Sequence, residues 1–237
     1  MKTKSVFLLF LVSAFAAALL VGAVQAKAGT VSLTVTNPGF EGNLNGWSYI
    51  FNAAGTSAQD GFVDFTEAHT GQSSLELVMN SGGSGVWQNV SYPLPAGAVV
   101  QLGWWLYMPN AGSQSNKWFN ASLSIDGNAF PTGCQSYGAQ DLSETCTDGA
   151  ILSQVTPLPS WTYETLSFTL PSAASSIAFE FNTQDGNGSG PAEPLWVDDV
   201  TLQATGAGVI IPEPSSLALF CTGLMCIVWR IRQKSLA

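Results

Sequence analysis

The chain is poor in basic residues, and this limits what it can bind. Of 237 residues, seven are Lys or Arg, and Lys117 is the only one of these between Ala28 and Arg230. Proteins that bind nucleic acid neutralise its phosphates with such cations, so we expect no nucleic-acid partner. The same shortage argues against direct binding of sulfated or uronic-acid polymers unless a metal bridges them. An acidic surface is otherwise typical of a protein that stays soluble outside the cell.

Features of common catalytic and zinc sites are also missing. His69 is the only histidine, and the sequence has no Gly-x-Ser-x-Gly segment, which argues against a Ser-His-Asp hydrolase. Cys134 and Cys146 are too far apart and too poor in His neighbours to suggest zinc. In an exported protein they instead predict a disulfide that closes a surface loop. Glu76 and Glu180 leave the core phase of their strands, which keeps a glycosidase open as a minor alternative.

An apolar segment near the start of the chain indicates export. Lys2 and Lys4 precede an apolar stretch from Val6 to Val24 that ends in small residues. This is the layout of a secretory signal peptide, so we expect residues 1–28 to be removed. An uncleaved N-terminal anchor is the alternative. The following residues, 29–204, suit one domain by length.

The end of the chain, residues 205–237, combines three cues. A Pro-Glu-Pro triplet precedes an apolar run, which predicts a helix over about 215–229, and a basic cluster follows it. The prolines disfavour helix before the run, the run is short for a membrane span of about 20 residues, and basic residues stay on the cytoplasmic side. The residues of the pattern are Pro212, Glu213, Pro214, Arg230 and Arg232.

This three-part pattern resembles the PEP-CTERM sorting signal of Gram-negative bacteria. The resemblance implies that an exosortase cuts the chain near the triplet, after transient anchoring in the inner membrane. It also implies delivery to the cell surface or the extracellular matrix. A plain C-terminal membrane anchor is the alternative.

The middle of the chain alternates between apolar and polar residues, as β-strands do. In the segment Leu102–Met108 the even-numbered residues share one face, which leaves Trp105 and Tyr107 on the other. Comparable segments recur at 31–35, 122–126, 166–170, 177–181 and 196–202, with turn signals between them. Short strands at regular spacing predict a sandwich or a barrel.

Five motifs in this region occur in the order found in a known family. They are Asn37–Glu41 with Gly46–Trp47, then Ala68–Leu75, Val86–Val90, Pro95–Gly97 before the Leu102 strand, and Trp196–Leu202. The order resembles carbohydrate-binding modules of the CBM4/9/22 type, which are galactose-binding-like β-jelly rolls. The resemblance implies an all-β jelly-roll sandwich over residues 29–204 that binds polysaccharide without catalysis. Because a jelly roll hosts many functions, a structural matrix or adhesion protein with no specific sugar is the main alternative.

Acidic residues at the two ends of this domain suggest a metal site. By period two, Asp198 shares a face with Val200 and Leu202, and a core-facing carboxylate is costly unless it is paired or coordinates a metal. Oxygen ligands suit Ca²⁺, and the resemblance implies a structural calcium ion held by two acids and by loop carbonyls. Here these would come from Gly39, Glu41, His69, Gln72 and Asp198. The alternative is that Asp198 caps a turn or accepts hydrogen bonds from backbone N–H groups. We expect Asp199 to face solvent.

Aromatic rings carry the sugar-binding prediction. Trp87, Trp105 and Tyr107 are out of phase with the core residues beside them, and exposed rings stack on the apolar faces of sugars. Glu180 shares the non-core face of its strand and could accept hydrogen bonds from sugar hydroxyls. We therefore predict a neutral polysaccharide as the ligand. The alternative is that these rings lie under loops or between the sheets.

Overall fold

The computed structural model describes residues 29–50, 61–79, 84–110, 117–126, 131–132, 134, 141–185, 193–206 and 209. The predicted signal peptide, the Pro-Glu-Pro triplet and the predicted C-terminal helix lie outside these residues. Within the described ranges the regular elements are β-strands, and no helix there is long and apolar enough to cross a membrane. The strands are β1 (Gly29–Leu33), β2 (Ser48–Tyr49), β3 (Phe62–Asp64), β4 (Ser74–Met79), β5 (Ser84–Leu94), β6 (Val99–Met108), β7 (Lys117–Ile125), β8 (Leu142–Thr145), β9 (Gly149–Gln154), β10 (Leu158–Thr169), β11 (Ala174–Asp185) and β12 (Glu193–Gly206).

The described strands form two antiparallel sheets. Sheet A has the order β10-β6-β12-β4-β3, and β1 pairs with the far end of β12. Sheet B has the order β2-β5-β11-β7-β9-β8. From β4 to β7, and again from β9 to β12, consecutive strands alternate between the sheets. Crossing connections of this kind between two packed sheets make a jelly roll, so the predicted all-β jelly-roll sandwich is confirmed.

The core lies between the sheets and follows the predicted alternation. On β6, Trp104 and Leu106 are fully buried, whereas Trp105 and Tyr107 are partly exposed. Trp104 packs on Phe181 of sheet B, with ring centroids 5.5 Å apart. Each such side chain contributes about 1.5–3 kcal/mol when it is buried. The alternation therefore holds β6 in one register and fixes which of its residues face outward.

A β-bulge in β12 corrects one expectation from the sequence. Asp198 pairs with Trp105 and Thr201 pairs with Gly103, so three residue steps on β12 lie opposite two on β6. The extra residue accompanies Asp199, whose φ is 49°, and a bulge of this kind shifts the phase of the strand. Asp198 therefore lies on the outer face of sheet A together with Thr201. The expectation that it shares the core-facing phase of the residues after it is wrong.

The predicted disulfide is present. Cys134 and Cys146 are bonded, and their Cα atoms lie 4.8 Å apart, within the usual range for a disulfide. Cys146 begins the short turn from β8 to β9, where its N–H donates to the Gly149 carbonyl. The bond ties the segment before β8 to the edge of sheet B.

Candidate functional site

Two of the predicted ligand residues lie together on the outer face of sheet A. Trp105 and Tyr107 project from β6 on the side opposite the core, as their spacing predicted, and both are half-buried. Tyr107 stacks on Trp196 of β12, with centroids 5.2 Å apart and planes 21° apart. Trp161 of β10 lies on its other flank, at 5.8 Å. The outer face of sheet A is thus aromatic across three neighbouring strands.

Tyr163 of β10 completes this group and is its most exposed ring. Its side chain is 48% exposed, and its centroid lies 5.5 Å from that of Trp105. We call the set Trp105, Tyr107, Trp161, Tyr163 and Trp196 the aromatic face. The last three were not among the ligand residues predicted from the sequence. Each is out of phase with the buried residues of its own strand, which is the signal that finds them.

Carboxylates border the aromatic face at its β3 and β4 end. The Trp196 indole donates to Asp64 Oδ2 at 2.7 Å, and the Thr66 backbone N–H donates to Asp64 Oδ1 at 2.9 Å. Burial raises the pKa of Asp64, but these and other hydrogen bonds outweigh burial and hold the pKa below its usual range. Glu76 lies opposite Trp196 on β4. Burial, and then the charge of Asp64, raise the pKa of Glu76 to about 7.

Asp198 and Asp199 at the β12 bulge hold the loop that contains His69 and Thr70 against the aromatic face, and we call this region the corner. The backbone N–H groups of His69 and Thr70 donate to Asp198 Oδ2 at 2.9 and 3.1 Å, and that of Asp199 donates to Asp198 Oδ1 at 2.8 Å. Asp198 is fully buried. Burial raises its pKa to about 6, although these hydrogen bonds oppose the rise. The structure thus realises the alternative in which Asp198 accepts hydrogen bonds from backbone N–H groups.

His69 connects this corner to the aromatic face. Its Nδ1 lies 2.7 Å from Asp199 Oδ2, and its ring stacks on Trp105 with centroids 3.8 Å apart and planes 15° apart. Asp199, which we expected to face solvent, is only partly exposed and also accepts a hydrogen bond from the Thr70 hydroxyl at 2.8 Å. The two aspartates therefore fix the position of a ring that covers one side of Trp105.

The predicted calcium ligands gather at the same corner. A methyl group at Gly39 would lie 3.6 Å from Asp198 Oδ1 and 3.8 Å from Glu41 Cγ, so both acids approach this glycine. Carboxylate oxygens are the donors that Ca²⁺ prefers, so the acids fit the ion. The loop presents N–H groups to these acids, since Gln72 donates its N–H to Glu41 Oε1 at 3.0 Å. In the described ranges no three His, Cys, Asp or Glu residues are grouped to hold a metal.

The other two predicted ligand residues lie on the opposite sheet. Trp87 of β5 pairs with Glu180 of β11 on the outer face of sheet B. Glu180 has the predicted non-core orientation but is fully buried, and it accepts a hydrogen bond from Asn182 Nδ2 at 2.7 Å. Burial raises its pKa to about 8, against hydrogen bonds from Asn182 and Ser122 that lower it. The four residues predicted to bind sugar thus lie on two opposite faces of the sandwich.

Buried polar residues continue around Glu180. Asn182 Oδ1 accepts a hydrogen bond from Asn120 Nδ2 at 3.0 Å, and Ser153 donates to Asn120 Oδ1. One Glu180 oxygen, Oε2, has no hydrogen-bond partner within the part of the chain that the structure describes. Buried polar networks of this kind specify one arrangement of their members. Glu180 belongs to such a network and is not open to a sugar in this structure.

The C-terminal prediction is supported by a match to a known motif. Residues 211–233 match the PEP-CTERM protein-sorting motif. The chain carries a PEP-CTERM sorting motif. All five residues predicted to form the signal, from Pro212 to Arg232, lie inside the matched segment. No curated protein matches the chain.

Solved structures similar to this one include carbohydrate-binding modules. One is TmCBM61 in complex with beta-1,4-galactotriose, at 16% identity over 72% of this chain and 97% of that chain, with a TM-score of 0.45. Another is the CBM22-1 xylan-binding domain from Paenibacillus barcinonensis Xyn10C, at 15% identity over 78% of this chain and 100% of that chain, with a TM-score of 0.42. A third is the enzymatically active domain of bacteriophage CBA120 tailspike protein 4, at 15% identity over 72% of this chain and 21% of that chain, with a TM-score of 0.45. Likenesses this distant do not identify a ligand or an activity for the chain that carries the sorting motif.

Proposed function

We propose that the chain is an exported, non-catalytic protein that binds a neutral polysaccharide through the aromatic face of sheet A. The observation that carries this proposal is the concentration of five rings on one non-core face, with Tyr163 half-exposed. Rings on a protein surface offer apolar area with little conformational freedom to lose, and a large exposed apolar patch marks an interaction site. Sugar rings present apolar C–H faces that match such a surface.

Charge favours a neutral ligand over an anionic one. The chain has a formal net charge of −9, and Asp64 and Asp199 lie directly beside the aromatic face. Carboxylates accept hydrogen bonds from sugar hydroxyls, whereas they repel uronate and sulfate groups. The protein's own donors already engage these acids, which supports a binding role more than bond cleavage.

The C-terminal motif and the disulfide support export and sorting. Disulfides persist in oxidising compartments outside the cytosol, and Cys134 and Cys146 are bonded. We propose that an exosortase-type enzyme processes the chain within residues 211–233. In this proposal the C-terminal segment anchors the chain transiently in the inner membrane of a Gram-negative bacterium. The mature protein then reaches the cell surface or the extracellular matrix.

One observation favours a second candidate, a structural matrix or adhesion protein with no specific sugar. His69 covers one side of Trp105, and Trp196 covers one side of Tyr107. Rings that pack on one another shield the sheet and stabilise it without any ligand. Under this alternative the aromatic face is an additional small core on the outside of sheet A.

Binding measurements with matched variants separate the two candidates. We expect the intrinsic tryptophan fluorescence to change on addition of a neutral polysaccharide, and a Trp105→Ala variant to bind at least about tenfold more weakly, which is about 1.4 kcal/mol. Trp87→Ala is the control, because Trp87 lies on the opposite sheet. The proposal fails if no neutral polysaccharide binds, or if Trp87→Ala abolishes binding while Trp105→Ala does not.

We also propose a structural Ca²⁺ ion at the corner of Glu41 and Asp198. The support is the buried carboxylate of Asp198 and its approach to Glu41 across Gly39. A bound cation would keep Asp198 ionised despite burial. Loop residues 69–72 would have to turn carbonyls toward the ion, since their N–H groups face the acids here.

A further inference from the structure

The position of Tyr163 is set by a glycine on the neighbouring strand. Gly103 of β6 is buried although it lies on the outer face. A Cβ atom there would overlap Tyr163 Oη and lie 2.9 Å from Tyr163 Cζ. The ring of Tyr163 therefore rests on the backbone of β6 where any other residue would push it away. Because one side of the ring covers Gly103, its other side accounts for the exposure of this residue.

The Tyr163 hydroxyl reaches across the sheet to a groove. Tyr163 Oη lies 3.3 Å from Thr201 Oγ1 of β12, and Thr201 lines a groove of about 190 Å³. The groove runs along β12 beside the end of β1, and its polar lining is Ser32, Thr201 and Gln203. Val35 and Pro38 contribute apolar surface to its lining. The Tyr163 ring of the aromatic face and the hydroxyl-lined groove thus meet at Thr201.

We infer that Tyr163 and this groove form a further subsite of the proposed polysaccharide site. The inference rests on the proposed function and adds the ligand's form. The volume is below the roughly 300–1,000 Å³ of pockets for drug-sized ligands, so the groove suits one sugar ring. The ligand is then an unbranched stretch of a neutral polysaccharide that runs across the strands from Trp105 over Tyr163 to Thr201.

The side chains of the subsite also restrict the kind of sugar. Tyr163 offers a flat apolar surface, which favours rings whose hydroxyls are equatorial and leave a C–H face free. Thr201, Ser32 and Gln203 offer hydroxyl and amide groups that both donate and accept hydrogen bonds. None of the three carries a cation for a carboxylate or a sulfate. The subsite therefore selects neutral pyranose units.

The test measures affinity against ligand length. The purified protein is titrated with neutral gluco-, xylo-, manno- and galacto-oligosaccharides of two to six rings, with calorimetry as the readout. Tyr163→Ala removes the ring and Gly103→Ala displaces it. Each variant should weaken binding of the longest bound oligosaccharide by about 3- to 10-fold and leave the affinity for the shortest one unchanged. Thr201→Val should show the same length dependence with a smaller effect. Thr165→Val is its control, because Thr165 is exposed on the other side of Gly103 and does not line the groove.

Different outcomes overturn different claims. If wild-type protein binds none of these sugars, the subsite and the proposed function both fall. If binding needs Trp105 but Tyr163→Ala and Thr201→Val change nothing, or change short and long ligands alike, the subsite is wrong and the proposed function stands. Should Tyr163→Ala not fold, Tyr163→Phe and Thr201→Val remain, since each removes one partner of the contact and keeps the size of the side chain.

Discussion

Replacing Glu180 by Gln should stabilise the protein at alkaline pH and leave its stability in acid nearly unchanged. Glu180 is fully buried in sheet B, and burial raises its pKa to about 8 from the usual 4.5. Gln keeps the shape and one oxygen to accept the hydrogen bond from Asn182. Gln cannot ionise, and its amide NH2 takes the place of the carboxyl O–H at a position where Glu180 Oε2 has no hydrogen-bond partner among the described residues.

The sign and size of the effect follow from proton linkage. Folded protein holds the Glu180 proton up to about pH 8, whereas the unfolded chain releases it near 4.5. The stability that protonated Glu180 contributes is therefore complete below pH 4.5 and is lost progressively as pH rises to about 8. At about 1.4 kcal/mol per pH unit between these values, the loss approaches an upper limit of about 5 kcal/mol. We expect Glu180→Gln to recover a few kcal/mol of this at pH 9.

Urea denaturation of both proteins at pH 4.5, 7 and 9 measures the effect. Glu76 and Asp198 also have raised pKa values, to about 7 and about 6, so the wild-type free energy of unfolding should fall with pH for several reasons. The difference between the two proteins isolates Glu180. Glu144→Gln on β8 is the control, because Glu144 is partly exposed in the same sheet. Equal pH dependence in wild type and Glu180→Gln would refute the reasoning, and an equal loss at every pH would assign Glu180 a purely hydrogen-bonding role.

Three further predictions concern the disulfide, the calcium corner and the tail. Replacing Cys134 and Cys146 by Ser should lower the free energy of unfolding by about 2–4 kcal/mol, measured by urea denaturation; an unchanged midpoint would contradict it. Excess Ca²⁺ should raise the melting temperature, corresponding to about 2.7 kcal/mol at a hundredfold excess over Kd, and Asp198→Asn should abolish the response; identical melting curves with EDTA and with Ca²⁺ would exclude the site. Mature protein from the native host should end near residues 212–215 by mass spectrometry, and Glu213→Ala should block this processing; an intact C-terminal peptide on the exported protein would leave only a membrane anchor.

The face to which a residue points was predictable from sequence wherever a strand is regular. Trp105 and Tyr107 alternate with buried apolar residues, and the structure places both outside the core. The phase of Asp198 was not predictable in this way. It depends on a bulge at which Asp199 adopts a φ of 49°, and period-two counting assumes that no residue is inserted.

Burial on an outer face was also beyond sequence reasoning. Periodicity put Glu180 on the non-core side, but it does not tell what covers that side. Likewise, Trp87 and Trp105 both satisfied the rule for outward-facing rings, yet they lie on different sheets. Sheet membership depends on pairing between distant segments, which alternation within one strand does not reveal. Tyr163 and Trp196 could have been predicted to face outward, because Tyr163 is out of phase with the buried Leu166 and Phe168, and Trp196 lies between the buried Leu195 and Val197.

The place of β12 in sheet A determines when the domain can finish folding. The last strand of the described residues, β12, pairs with β6, β4 and β1, and Gly206 lies opposite Gly29. A chain that emerges from N- to C-terminus therefore brings the centre of the sheet out last. Until then β4 and β6 lack the neighbour between them, and their unpaired edges are open to other chains. Pairing across nearly the whole domain is slow, so the centre of sheet A is completed only after the whole of β12 has been synthesised.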